Sequence, residues 1–163
     1  MDVGKPVQDI RVIALGNPLR GDDGLGQAVL HRLQERLWPD CIRFIDGGTC
    51  GVDLLVLMEG ATQVLIVDAV DMGRQPGDLV RFHPRDVRMP EGGSRGFSLH
   101  QAGLAEVLAL GTELDILPPL TIYGIQPVQL AEGMGFSTPV EEAIGAAVSA
   151  VSTELTRLMT PGG

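Results

Sequence analysis

The chain has 163 residues, with 12 Lys and Arg against 21 Asp and Glu, a formal net charge of −9. That length suits one domain spanning residues 1–163 with its own core, and so acidic a surface argues against nucleic acid or an anionic membrane as partner, since both need clustered basic residues. Two cysteines, Cys41 and Cys50, are too few and too far apart for a zinc knuckle or a CxxC redox pair. No stretch reaches the ~18 apolar residues of a membrane span and no signal layout opens the chain, so a cytoplasmic protein with reduced thiols is expected.

The run IRVIAL at 10–15 is short, continuous and rich in β-branched residues, the pattern of a strand buried on both faces. From Gly24 the apolar positions Leu25, Val29, Leu33 and Leu37 recur every four residues among polar ones, which predicts a helix with one buried stripe ending before Pro39. IRFID at 42–46 reads as a second strand running into the turn GGTCG, VDLLVLM at 52–58 as a short helix, and VLIV at 64–67 as a third strand ending in Asp68. DLVRFH at 78–83 alternates well enough for an edge or antiparallel strand.

Residues 84–97 carry two prolines, three glycines and no periodicity, the composition of a surface loop. Ser98 and Gln101 have capping-box spacing before the stripe Leu104, Val107 and Leu108, which places His100 in the first turn of a helix. LTIYGI at 120–125 is another strand, and the final helix has Thr138 as N-cap, Pro139 at N1 and a buried face of Val140, Ile144, Val148, Val151, Leu155 and Leu158. Strands alternating with helices give an α/β fold, a three-layer α/β/α sandwich of the phosphorylase/hydrolase-like kind around a mostly parallel, mixed sheet.

Ligands of such sheets bind beyond the carboxyl ends of the strands. Asp22, Asp23, Asp46 and Asp68 each lie just past one, and His100 opens a helix that should start on that side. The loop joining the first strand to the first helix is where many folds hold a phosphate, yet here it carries two adjacent carboxylates. One of them can cap the helix near Gly24. A second, beside Asp68 and His100, would be repulsive unless a cation binds, and carboxylates with a neutral imidazole suit Zn, Ni or Mn better than Ca or Mg. Other candidates are plainer: His31 is solvated on its helix, His83 sits at a loop entry, Ser98 caps, and Cys50 lacks a basic neighbour in sequence to activate it.

The segments GNPLRGDDGLG at 16–26, DGGTCG at 46–51, VDAV at 67–70, SLHQAGL at 98–104 and YGIQP at 123–127 together resemble the nickel–iron hydrogenase maturation endopeptidases, in the family's order and over nearly the whole chain. The resemblance implies a protease that removes a C-terminal extension from the precursor of a hydrogenase large subunit once nickel is inserted. It implies that Asp23, Asp68 and His100 bind a divalent metal, the nickel being supplied by the precursor, and that no nucleotide is used. Asp46 matches a further acidic residue near the cleft, implied to tune the site or take part in cleavage. The family often has glycine where this chain has Ala14, and some members have glutamate where Asp23 stands; neither departure removes a ligand.

A coordinating His100 must be neutral, so binding is expected to weaken as pH falls toward about 6. The arginines of the 84–97 loop, Arg85, Arg88 and Arg95, could order on the precursor. Three rivals compete. A phospho-receiver also places an acidic pair after strand one and an aspartate after strand three, but needs a late lysine, and Lys5 is the only lysine. A dinucleotide site needs G-x-G-x-x-G and no carboxylates on the pyrophosphate. A chaperone that holds nickel or precursor without cutting could share every ligand. Ordinary single-stripe helices give no reason to expect more than a monomer.

Overall fold

The computed structural model describes residues 7–87, 99–128 and 135–160, and of residues 99–102 the backbone alone. Five strands, β1 (Ile10–Leu15), β2 (Ile42–Gly48), β3 (Gln63–Ala69), β4 (Leu79–Phe82) and β5 (Leu120–Ile125), form one sheet in the order β2-β1-β3-β5-β4. All neighbours are parallel except β4, which runs antiparallel to β5 at the edge. Among the described residues four α-helices cover it: α1 (Leu25–Gln34), α2 (Asp53–Met58), α3 (Leu99–Glu113) and α4 (Thr138–Met159).

The period of two along β1 divides the core. Ile10, Val12 and Ala14 point to one face, where they pack with Leu25, Val29 and Leu33 of α1 and Val140, Ile144, Ala147, Val151 and Leu155 of α4. Ile13 and Leu15 point to the other, with Leu54 and Met58 of α2 and Leu104, Val107 and Leu108 of α3. Helices on both faces explain why β1, β3 and β5 read as mainly apolar runs without strict alternation. The architecture is the expected three-layer α/β/α sandwich with a mixed sheet.

Several expected boundaries move. β2 and β3 run on to Gly48 and Ala69, so Asp46 and Asp68 lie within the ends of their strands and not just past them. The helix α1 stops at Gln34, so Leu37 is off the stripe and fully exposed. The Leu33 carbonyl, which a longer helix would bond to the Leu37 N–H, instead accepts from Arg36 N at 3.2 Å and from the Trp38 indole N–H at 2.8 Å. In α4 the N-cap is Ser137, not Thr138, which takes the first helical position with Pro139 behind it. The expected loop at 84–97 begins with a short 3-10 turn, Pro84–Asp86, and the rest of it, with Arg88, Arg95 and the cap assigned to Ser98, lies outside the described residues.

At the amino end of the sheet, away from the loops considered next, Asp9 joins three segments. Its carboxylate accepts from Arg11 Nη2 at 2.6 Å and from Arg43 Nε at 3.1 Å, and its backbone carbonyl accepts from Thr62 N at 2.8 Å. The guanidinium of Arg11, helped by that of Arg43, holds the Asp9 carboxyl down at about 2, against the cost of its partial burial. Among the described residues no helix is long and apolar enough to cross a membrane.

Candidate functional site

Past Leu15 the chain must leave β1 and turn back over the sheet within a few residues, and glycine makes this possible. Gly16 has φ +125°, and a Cβ there would lie 1.9 Å from the Asp23 carbonyl oxygen. A Cβ on Gly26 would lie 2.7 Å from both the Leu15 and the Val67 carbonyl oxygens, so the first turn of α1 sits directly on the carboxyl ends of β1 and β3. Strand order reverses between these two strands: the chain goes from β1 outward to β2, then returns to the other side of β1 as β3. The crevice at such a reversal is the usual ligand site of an open α/β sheet.

The two adjacent aspartates occupy a single 3-10 turn, Gly21–Gly24, and both are buried. Neither caps α1, whose N-cap is Gly24 without a side-chain bond. Asp22 serves the last helix instead. Its carboxylate accepts from Ser137 N at 2.8 Å, from Val128 N at 2.9 Å and from the Ser137 hydroxyl, which lies 3.1 Å from Oδ1 and 2.9 Å from Oδ2. A negative charge on the N-terminal N–H groups of a helix is favoured by its dipole. Asp23 is held differently: Oδ2 accepts from Asn17 N at 3.1 Å, while Oδ1 is buried with no donor among the described residues.

Asp68 is fully buried in β3, where it stands opposite Gly124 of β5, one strand along from the Asp23 turn. His100 lies in the first turn of α3. The helix α3 leads to the start of the parallel strand β5, so it runs back along the sheet from the carboxyl-end side. The His100 side chain is outside the described residues, and among those described no three His, Cys, Asp or Glu side chains are grouped to hold a metal.

Asp46, in β2, is solvent-exposed, yet its Oδ1 is fixed by Gly48 N at 2.9 Å and by Gln27 Nε2 at 3.1 Å. Gln27 is the residue that sequence reasoning passed over. Its amide also donates to the Gly16 carbonyl at 2.9 Å, so it ties the first loop to Asp46, and its Oε1 is buried without a donor among the described residues. The two acceptors contacting Nε2 fix which way round the amide sits. A polar residue two positions into a buried helix start was the one signal for it. Gln126 of the YGIQP segment is a second omission: its Oε1 accepts from Met72 N at 2.7 Å and its Nε2 donates to Asp71 Oδ1 at 3.1 Å, which fastens the chain leaving β3 to the end of β5.

The remaining candidates behave structurally. His31 is exposed on α1. His83 Nδ1 lies 3.1 Å from the Leu120 carbonyl and its backbone N–H donates to Asp86, which makes it the cap of the 3-10 turn at Pro84. Burial pushes the Cys50 thiol up from its ordinary value, so it stays protonated near neutrality and is a poor nucleophile.

The chain as a whole is similar to known proteins. HupD, a hydrogenase expression/formation protein of Rhodobacter capsulatus, is 36% identical over 85% of this chain, which spans 66% of that relative's length. The hydrogenase 2 maturation protease of Escherichia coli is 34% identical over 90% of each chain. Among solved structures, the hydrogenase maturating endopeptidase HybD from E. coli superposes with a TM-score of 0.79 at 30% identity, over 93% of this chain and 94% of that one. The hydrogenase 2 maturation peptidase from Thaumarchaeota archaeon SCGC_AB-539-E09 gives 0.67 at 30% identity, over 91% and 98%. The family model HycI, hydrogenase maturation protease, matches residues 28–154, and with these relatives it shows that the chain belongs to the hydrogenase maturation protease family.

Proposed function

We propose that this chain is an endopeptidase that removes a C-terminal extension from the precursor of a [NiFe] hydrogenase large subunit, and that Asp23, Asp68 and His100 recognise the nickel carried by that precursor. Membership of the maturation proteases supports the proteolytic activity. The observation that carries the nickel-reading part is the buried Asp23 Oδ1, which has no donor among the described residues at the reversal point of the sheet. An ionised oxygen shut away from water costs several kcal/mol unless a cation or a donor meets it. The neighbouring Asp22 has its oxygens committed to Val128 and Ser137, so only one of the pair is left to bind.

In this reading the substrate's nickel is the positioning device. Its coordination by Asp23, Asp68 and His100 sets the scissile peptide in the crevice, where a polarised water attacks the carbonyl. Asp46, held by Gln27, stands on the neighbouring strand end and tunes the crevice or assists cleavage.

The test is the intact mass of the precursor, nickel-loaded or nickel-free, after incubation with this protein or with its His100→Ala variant. Loss of one C-terminal peptide from the nickel-loaded precursor alone, abolished by the substitution, is the expected result. Nickel-dependent complex formation without cleavage would make the chain a chaperone and overturn the proposal.

A further inference from the structure

We infer that Asp22 is a positioning residue for the reaction, holding Asp23 at the crevice by pinning the loop after β1 to the start of α4 and to Val128 in the segment that follows β5. The inference rests on the reading of Asp23 as a nickel-binding residue. Asp22 and Asp23 are consecutive in a four-residue turn, so a displacement of one carboxylate's backbone displaces the other. Among the described residues the Asn17 N–H alone holds the Asp23 side chain, at 3.1 Å, and the Asp23 backbone N–H is bonded within the same turn, to the Arg20 carbonyl at 3.1 Å. The anchor to the rest of the molecule comes from next door. Asp22, 2% exposed, takes donors from residues 106 and 115 positions away in the chain.

The chemistry of the pair explains why two aspartates stand together. Asp22 delivers its charge to the N-terminal N–H of a 22-residue helix, where the dipole favours it. The same helix packs along α1 through the core. Asp23 is therefore carried on a turn braced at both ends: by α1 on the strands behind it and by α4 through Asp22. The carboxylates divide the work, one taking backbone donors and the other left with an open oxygen.

The experiment compares Asp22→Asn with Val148→Ala in the full chain, assaying cleavage of nickel-loaded precursor well below both melting temperatures. Asparagine keeps the volume but turns an NH2 toward one of the two backbone N–H donors, releasing one anchor. Val148 is buried in α4 about three turns past Ser137, so its truncation destabilises the helix without touching the turn. Expected are a kcat at least about tenfold lower for Asp22→Asn with KM unchanged, as small misplacements of a reacting group produce, and a rate within about twofold of wild type for Val148→Ala. Amide exchange at Val128 and Ser137 should speed up in Asp22→Asn alone.

Equal rates in the two variants would overturn the proposal. Should Asp22→Asn fail to fold, Ser137→Ala, which removes only the hydroxyl bonds, is expected to lower kcat about threefold, a smaller misplacement of the same kind, and no loss would overturn it. An Asp23→Asn variant that still cleaves normally would instead bring down the reading of the site itself.

Discussion

Replacing Gly26 by alanine places one methyl group 2.7 Å from the carbonyl oxygens of both Leu15 and Val67, about 0.7 Å inside the 3.4 Å at which ordinary contact begins. Both obstacles are backbone atoms at the ends of adjacent central strands, so neither can rotate away and α1 must lift off the sheet. Overpacking of this kind costs roughly 1–3 kcal/mol, and the better helix propensity of alanine returns up to about 1 kcal/mol. The net expectation is a loss of about 1–2 kcal/mol, read by urea unfolding as a lower midpoint at unchanged m. Gly145, exposed on α4, is the control, because a Cβ added there would meet nothing within 4 Å and the same substitution should stabilise by up to about 1 kcal/mol. Gly26→Ala matching or exceeding wild type in stability would refute the claim that α1 is seated on those two carbonyls. Because the Asp23 turn leads directly into α1, the same variant should also process precursor more slowly than Gly145→Ala.

Asp9 predicts an acid response. Its carboxyl titrates lower in the folded chain, at about 2, than the ordinary 3.8, so its contribution is present above about pH 5 and is lost as pH falls through about 2. Urea midpoints measured between pH 6 and 2.5 should fall less steeply for Asp9→Asn, and parallel curves would count against the clamp. The end of α1 predicts a contrast four residues apart: Leu33→Ala should cost about 2–5 kcal/mol, whereas Leu37→Ala should stay within about 0.5 kcal/mol, since the first is buried and the second exposed. Equal losses in equilibrium unfolding would show that the helix runs on past Gln34.

The strands were legible because burial on both faces demands runs that are almost wholly apolar, and IRVIAL, VLIV and LTIYGI supply them with Arg11 and Thr121 as the polar exceptions. Helix ends were less so. Leu37 continues the four-residue spacing, but the Leu33 carbonyl accepts from Arg36 N and the Trp38 indole instead of from Leu37 N, and spacing carries no trace of that. Ser137 and Thr138 can both cap a helix, and the choice is made by Asp22, 115 residues earlier, which also takes the hydroxyl that would otherwise have capped. In the same way the pair Asp22–Asp23 announced surplus negative charge while giving no means of telling the anchor from the open carboxylate. Asp46 was visible as a strand-end acid; the Gln27 amide that fixes it was hidden, since glutamine near a helix start usually faces water.

The face of the sheet covered by α1 and α4 joins elements from distant parts of the chain. During synthesis β1, α1, β3 and β5 all precede α4, so their shared apolar surface stays open until Val140–Leu155 has been made. Contacts of such long sequence separation close slowly, and an uncovered strand surface invites self-association while it waits. A nascent chain halted before Thr138 would have every strand of its sheet yet lack the means to bury one side of it. Completion of α4, which also brings Ser137 to Asp22, therefore makes the crevice competent in the same late step that makes the chain safe from aggregation.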